Sequence, residues 1–165
     1  IDNSKTVLKK SEEKISIELS KEDHVIEKIK RLIDFGDYEK AIKECDNILD
    51  ANPDEPLANL LMTVATLKGR GADRYQTHTI MRLEKHLSNA CDDKFFYPTA
   101  LVVWGLIKYD HYKLNNFWQD NPTLSDIKEF LLKVNLELID LSLVGKVKAS
   151  QAAYEYFGLS RFFPG

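Results

Sequence analysis

Between residues 20 and 53 the apolar positions repeat with a helical period. Val25, Ile29, Leu32 and Ile33 mark one stripe; Ala41, Ile42, Cys45, Ile48 and Leu49 mark the next. Spacings of three and four residues put each set on one face of an α-helix. Ser20 with Asp23 imitates a capping box at the first start. Gly36 ends that helix, where a residue free to adopt positive φ is favoured, and Asp37 is placed to cap the second. Asn52-Pro53 stops the second, because proline disfavours helix in the residue before it.

Asp54 and Pro56 open a third helix that is apolar on nearly every side from Leu57 to Leu67, so neighbours should cover it. Gly69-Arg70-Gly71 closes it. The pattern then predicts a fourth helix over about 72–89 and a fifth from Pro98 to about Leu114. Residues 115–122 read as a loop. Thr123 and Asp126 cap a long sixth helix reaching Val144, with Ile127, Phe130, Leu131, Val134, Leu138 and Leu141 along one face. A seventh, about 146–157, ends at Gly158. Ile15, Ile17 and Leu19 alternate with polar residues and fit a short strand, a frayed helix or a docked extended segment. The expected class is all-α, with about seven helices in antiparallel hairpins and no substantial sheet.

The run Gly36-Asp37-Tyr38-Glu39-Lys40-Ala41-Ile42, followed by Pro53, resembles one tetratricopeptide repeat over about residues 23–54. Leu32 fits the large position late in its first helix. Ile29 stands where that family prefers a small residue. Residues 57–89 keep the hairpin rhythm without the signature, with Tyr75 near the small-residue position. Trp104-Gly105 is similar to the large-then-small pair of a repeat, yet no matching turn follows it. Hairpins of this kind expose an apolar side that further hairpins must cover.

That resemblance implies a surface receiving a peptide or a partner domain, lined by the first helix of each hairpin. Those helices offer Ile26, Glu27, Lys30 and Asp34, then Leu57, Leu60, Leu61, Val64 and Lys68. The family's clamp for C-terminal carboxylates needs a lysine where Ile26 stands and an asparagine where Lys30 stands, so it is not expected. The apolar wall has a second reading, in which the chain's own later half folds back over it. The division expected is 1–19 as linker or docked segment and 20–165 as one domain. Within it, 20–53 and 54–90 are hairpins and 91–165 is a divergent aromatic-rich part.

Fourteen of the seventeen aromatic residues follow Cys91. Most belong in a core. Phe117-Trp118 differs, because Asn115, Asn116, Gln119 and Asp120 surround it; it is a candidate docking patch or a loop folded onto the core. Phe162-Phe163 either pins the terminus or docks elsewhere. The candidate partner-binding residues are therefore Lys30, Asp34, Lys68, Phe117 and Trp118.

Hydrophobic residues at 44% and a formal net charge of −3 describe an ordinary globular chain, with too little charge to argue for nucleic acid or an anionic membrane. No apolar run approaches the length that spans a bilayer. Cys45 and Cys91 do not make a disulfide framework and suit a reducing cytoplasm. His78 and His86 stand two turns apart, too far for a close ligand pair, so no metal is expected. Tyr109, Asp110, His111 and Tyr112 imitate an acid–base group but lack a nucleophile, and no phosphate loop or hydrolase elbow is present. Lys68, Arg70 and Arg74 flank a glycine turn and are the kind of residue that meets a phosphate. They lack the wider basic surface that nucleic acid requires. No catalytic residue and no cofactor are expected. The chain begins with Ile1 and a polar stretch, which fits a piece of a longer protein; a regulatory or sensor domain fused to an enzyme is the alternative to an interaction module.

Overall fold

The turn at Gly36 sets the first hairpin. The computed structural model describes residues 21, 23–116 and 120–164, and the helix over 23–34 (α1) ends in a Schellman motif. Gly36 N–H donates to Ile33 O at 3.0 Å, and Asp37 N–H donates to Leu32 O at 2.8 Å. Gly36 carries a φ of +82°, a conformation that a Cβ would strain. Asp37 makes no side-chain cap to α2 (Tyr38–Ala51), contrary to expectation, because its ψ of 59° departs from the extended backbone that an N-cap normally holds. The α3 helix (Pro56–Leu67) is capped by the Glu55 carboxylate, which accepts from Ala58 N–H.

Tyr38 joins the two hairpins. Its hydroxyl reaches the turn after α3, where a Cβ on Gly69 would stand 2.7 Å from it. The expected fourth helix starts late: Ala72–Arg74 forms a single 3₁₀ turn, and α4 runs Thr77–Cys91. α3 packs against both α2 and α4, and nine of its residues are buried, as its all-round apolar sequence predicts.

The second half is organised differently. Every residue of α5 (Tyr97–Lys108) from Pro98 to Lys108 is buried. It is enclosed by α4, α6 (Leu124–Lys133), α7 (Leu141–Val144) and α8 (Gln151–Tyr156). Gly105 permits this crowding, since a Cβ there would stand 2.8 Å from Phe157 Cζ and 3.0 Å from Ile127 Cγ2. The fifth helix does not reach Leu114 as an α-helix; Tyr109–Lys113 forms a π-helical turn.

The predicted sixth helix is broken, and the predicted seventh starts late, at Gln151 of α8. Asn135 Oδ1 accepts from Glu137 N–H at 3.0 Å, and Asp140 Oδ1 accepts from Leu143 N–H at 3.1 Å. Each side chain starts a new short turn in place of continued helix. The Thr123–Asp126 capping box is present, with bonds of 3.2 and 3.0 Å. Phe163 stacks on Tyr154 with ring centroids 4.7 Å apart, which pins the C-terminal segment. No strand occurs among the described residues, and no helix among them is long and apolar enough to cross a membrane. The fold is all-α. Ser20 and the Ile15–Leu19 stretch lie outside the described residues.

Candidate functional site

Two recesses flank α4, one on each side. Thr79, Arg82 and His86 recur at intervals of three and four and line a cleft of about 430 Å³. Ile42 and Asp46 of α2 and Met62 and Thr66 of α3 also line it, with Lys68, Arg70 and Tyr75 from the turn after α3. Met62 and Thr66 stand about 200° of helix rotation from Leu60 and Val64. The cleft therefore opens on the face of α3 opposite the apolar wall. That wall is closed: Leu60 and Leu61 are fully buried, and Val64 nearly so.

The turn after α3 holds an unusual backbone. Lys68 caps the helix at φ +52° and Gly69 follows at +69°. Lysine seldom adopts this left-handed conformation. Arg70 N–H donates to Leu67 O at 2.9 Å, and Tyr75 Oη donates to the same carbonyl at 2.5 Å. Burial raises the pKa of the Tyr75 hydroxyl, against the opposing pull of Arg70 and Lys68. The phenol stays protonated and holds its bond.

Charge in the cleft is mostly positive. Lys68 pairs with Glu39, but both side chains are exposed. Arg70 and Arg82 are exposed and have no ion-pair partner among the described residues. Asp46 is the negative group on the lining. His86 is half-buried. Asn59 donates its amide N–H groups to Pro53 O at 3.0 Å and Glu55 O at 2.8 Å, so its Oδ1 faces His86 Nδ1 at 2.8 Å and accepts from it. Burial first, then Arg82, holds the imidazole pKa below its ordinary value.

The other side of α4 carries Glu84, whose carboxylate is ringed by donors. Trp104 Nε1 donates at 2.7 Å, Tyr112 Oη at 2.5 Å and Lys108 Nζ at 2.9 Å. Lys108 is fully buried and also donates to Asp120 O at 3.0 Å. Its ammonium lies 5.7 and 5.3 Å from the Trp104 and Tyr112 ring centroids. The π-helical turn points three successive polar residues inward. Asp110 accepts from Ser150 Oγ at 2.6 Å and Ser150 N–H at 2.8 Å. His111 Nδ1 lies 3.1 Å from Ala72 O, which only accepts, so this nitrogen carries the proton. Its Nε2 then lies 3.0 Å from Thr77 Oγ1. The polar residues that imitate an acid–base group in the sequence are thus tied to neighbouring elements, Asp110 to the start of α8 and His111 and Tyr112 to α4.

The predicted partner-binding residues separate. Lys68 lies on the cleft. Lys30 and Asp34 line a different recess of about 250 Å³, shared with Asp140, Ser142 and Lys146. There Lys146 Nζ stands 2.5 Å from Asp34, and Lys30 lies 3.5 Å from Glu27. The face of α1 thus meets residues of the chain's own later part. Phe117 and Trp118 lie outside the described residues. Arg74 parts from Lys68 and Arg70 and lines a third recess beside Asp110 and Ser150. Sequence reasoning missed Arg82 and His86 as a pair. The available signal was a polar stripe on α4 at residues 79, 82 and 86, on the same helix as an apolar stripe at 80, 83 and 87.

Burial pushes both cysteine thiols up to about 12, so neither is a thiolate nucleophile near neutral pH. Among the described residues no cluster of three histidine, cysteine or acidic side chains is arranged to hold a metal. No protein-family model matches the chain, and no curated protein or solved structure is significantly similar to it.

Proposed function

We propose that this chain is a tetratricopeptide-like interaction module that receives a segment of a partner protein. The observation that carries this reading is the open polar cleft between α2 and α4, whose two arginines have no ion-pair partner among the described residues. The repeat reading is supported by the Schellman turn at Gly36, by Tyr38 against the Gly69 turn, and by the helix stop before Pro53. Recognition is by shape and charge, with no bond made or broken. The resemblance alone led to the first helix of each hairpin as the contact surface. The cleft instead favours the second helices, since the apolar wall of α3 is buried. The free thiols suit the cytoplasm, a reducing compartment.

A photo-crosslinking residue placed at Thr79, inside the cleft, tests the reading against the same residue at Glu129, on exposed α6. The expected result is a discrete adduct from position 79 that is absent from position 129. Equal labelling at both positions, or none at 79, overturns it.

A further inference from the structure

We infer that the cleft between α2 and α4 takes an acidic stretch of polypeptide, with separate carboxylates held by Arg70 and Arg82. This rests on the interaction-module reading and adds the chemistry of the partner.

Exposed ion pairs are common on helix surfaces, and this chain makes several, such as Lys28–Glu44 and Lys133–Glu129. Arg70 and Arg82 make none among the described residues, although both border the same cleft. Arginine's planar fork suits a carboxylate in a bidentate pair. The backbone supports the same placement: the left-handed Lys68-Gly69 turn sets Lys68 and Arg70 on the lining.

The spread of charge favours several single anions over one dianion. Arg70 follows α3, and Arg82 sits within α4. Glu39 already engages Lys68, and Asp46 stands on the α2 side. A row of Glu or Asp side chains places one carboxylate at each guanidinium. Asp46 opposes such a ligand, so its removal improves binding. Protonation of His86 adds a positive charge to the lining, with Arg82 and Lys85 on its own helix and Asp46 on α2 as the charged groups around it.

The experiment titrates the intact chain with three fluorescent octapeptides by anisotropy at low ionic strength. One is glutamate-rich, one has glutamine in its place, and one carries two phosphoserines. The glutamate peptide is expected to bind, and to weaken at least tenfold in Arg70→Glu and in Arg82→Glu. Asp46→Asn is expected to tighten it two- to threefold. Arg74→Glu, in a different recess, is expected to leave it unchanged. Neither arginine makes an ion pair among the described residues, and circular dichroism melts confirm that the variants fold. If the glutamine peptide binds as well, the acidic assignment falls while the module stands. If Arg74→Glu weakens binding as much as Arg82→Glu, the effect is general surface charge and the assignment falls. A phosphoserine peptide binding tenfold tighter than the glutamate one overturns the carboxylate choice. Failure of crosslinking at Thr79 removes the module itself, a separate outcome.

Discussion

The two sides of α4 treat positive charge in opposite ways. Toward α5, Lys108 is fully buried and meets Glu84, the Asp120 carbonyl and two aromatic faces. Toward α2, Arg70 and Arg82 are exposed around an open cleft. A buried ammonium without a counter-charge is too costly to persist, so Glu84 of α4 supplies one. An exposed guanidinium is solvated whether or not a partner is present, so the hairpin half has no such need. Burial therefore consumes the chemistry of one side of α4 in holding the fold, and exposure leaves that of the other side available to a ligand.

The largest expected effect breaks the closed side. Glu84→Ala strands the Lys108 ammonium and removes the acceptor of Trp104 and Tyr112. Loss of one partner of a buried pair costs about 3–5 kcal/mol. Arg82→Ala, two residues away on the same helix, should stay within about 0.5 kcal/mol. Urea unfolding monitored by fluorescence gives both values. Glu84→Gln combined with Lys108→Met should cost less than Glu84→Ala alone, because no unpaired charge remains. Equal losses for Glu84→Ala and Arg82→Ala would erase the contrast between the two sides.

A middle-sized effect probes how tightly α5 is enclosed. Gly105→Ala puts a methyl group 2.8 Å from Phe157 Cζ and 3.0 Å from Ile127 Cγ2. Overpacking of this kind costs about 1–3 kcal/mol. The unfolding midpoint should fall while acidic-peptide binding at the cleft, measured below the transition, keeps its affinity. A matching loss of binding would show that the two halves are not independent.

Helix starts and stops were legible where one residue's chemistry decides them. Gly36, Pro53 and the Thr123–Asp126 box stand where the sequence places them. The apolar run of α3 correctly announced burial. The breaks after Lys133 were hidden because Ile127, Leu131, Val134, Leu138 and Leu141 keep helical spacing across them. Asn135 and Asp140 interrupt the backbone without disturbing that spacing. The π-helical turn was equally hidden, since Asp110, His111 and Tyr112 find their partners on distant elements. Of the cleft, Lys68 and Arg70 were legible as a cationic turn. Arg82 and His86 were not, because the approach of α2 and α4 over α3 is a tertiary fact.

The smallest expected effect is a pH dependence confined to the open side. His86 has its pKa held below the ordinary imidazole value of 6.5 by burial, with Arg82 and Lys85 adding to it and Asp46 opposing. The folded chain then binds fewer protons at this site than the unfolded chain does just below pH 6.5. The stability contributed by the neutral ring is complete above that value and is lost as pH falls through it toward the folded pKa. The useful quantity is a difference between variants. Wild type should lose more stability than His86→Gln between pH 7.5 and about 5.5, as measured by urea unfolding at each pH. Asp46→Asn should steepen the loss, since it removes the charge that favours protonation. Saturating acidic peptide should flatten it, because a bound anion favours the imidazolium. Parallel curves for wild type and His86→Gln would place His86 outside the cleft's electrostatics and leave the two arginines as its only determinants.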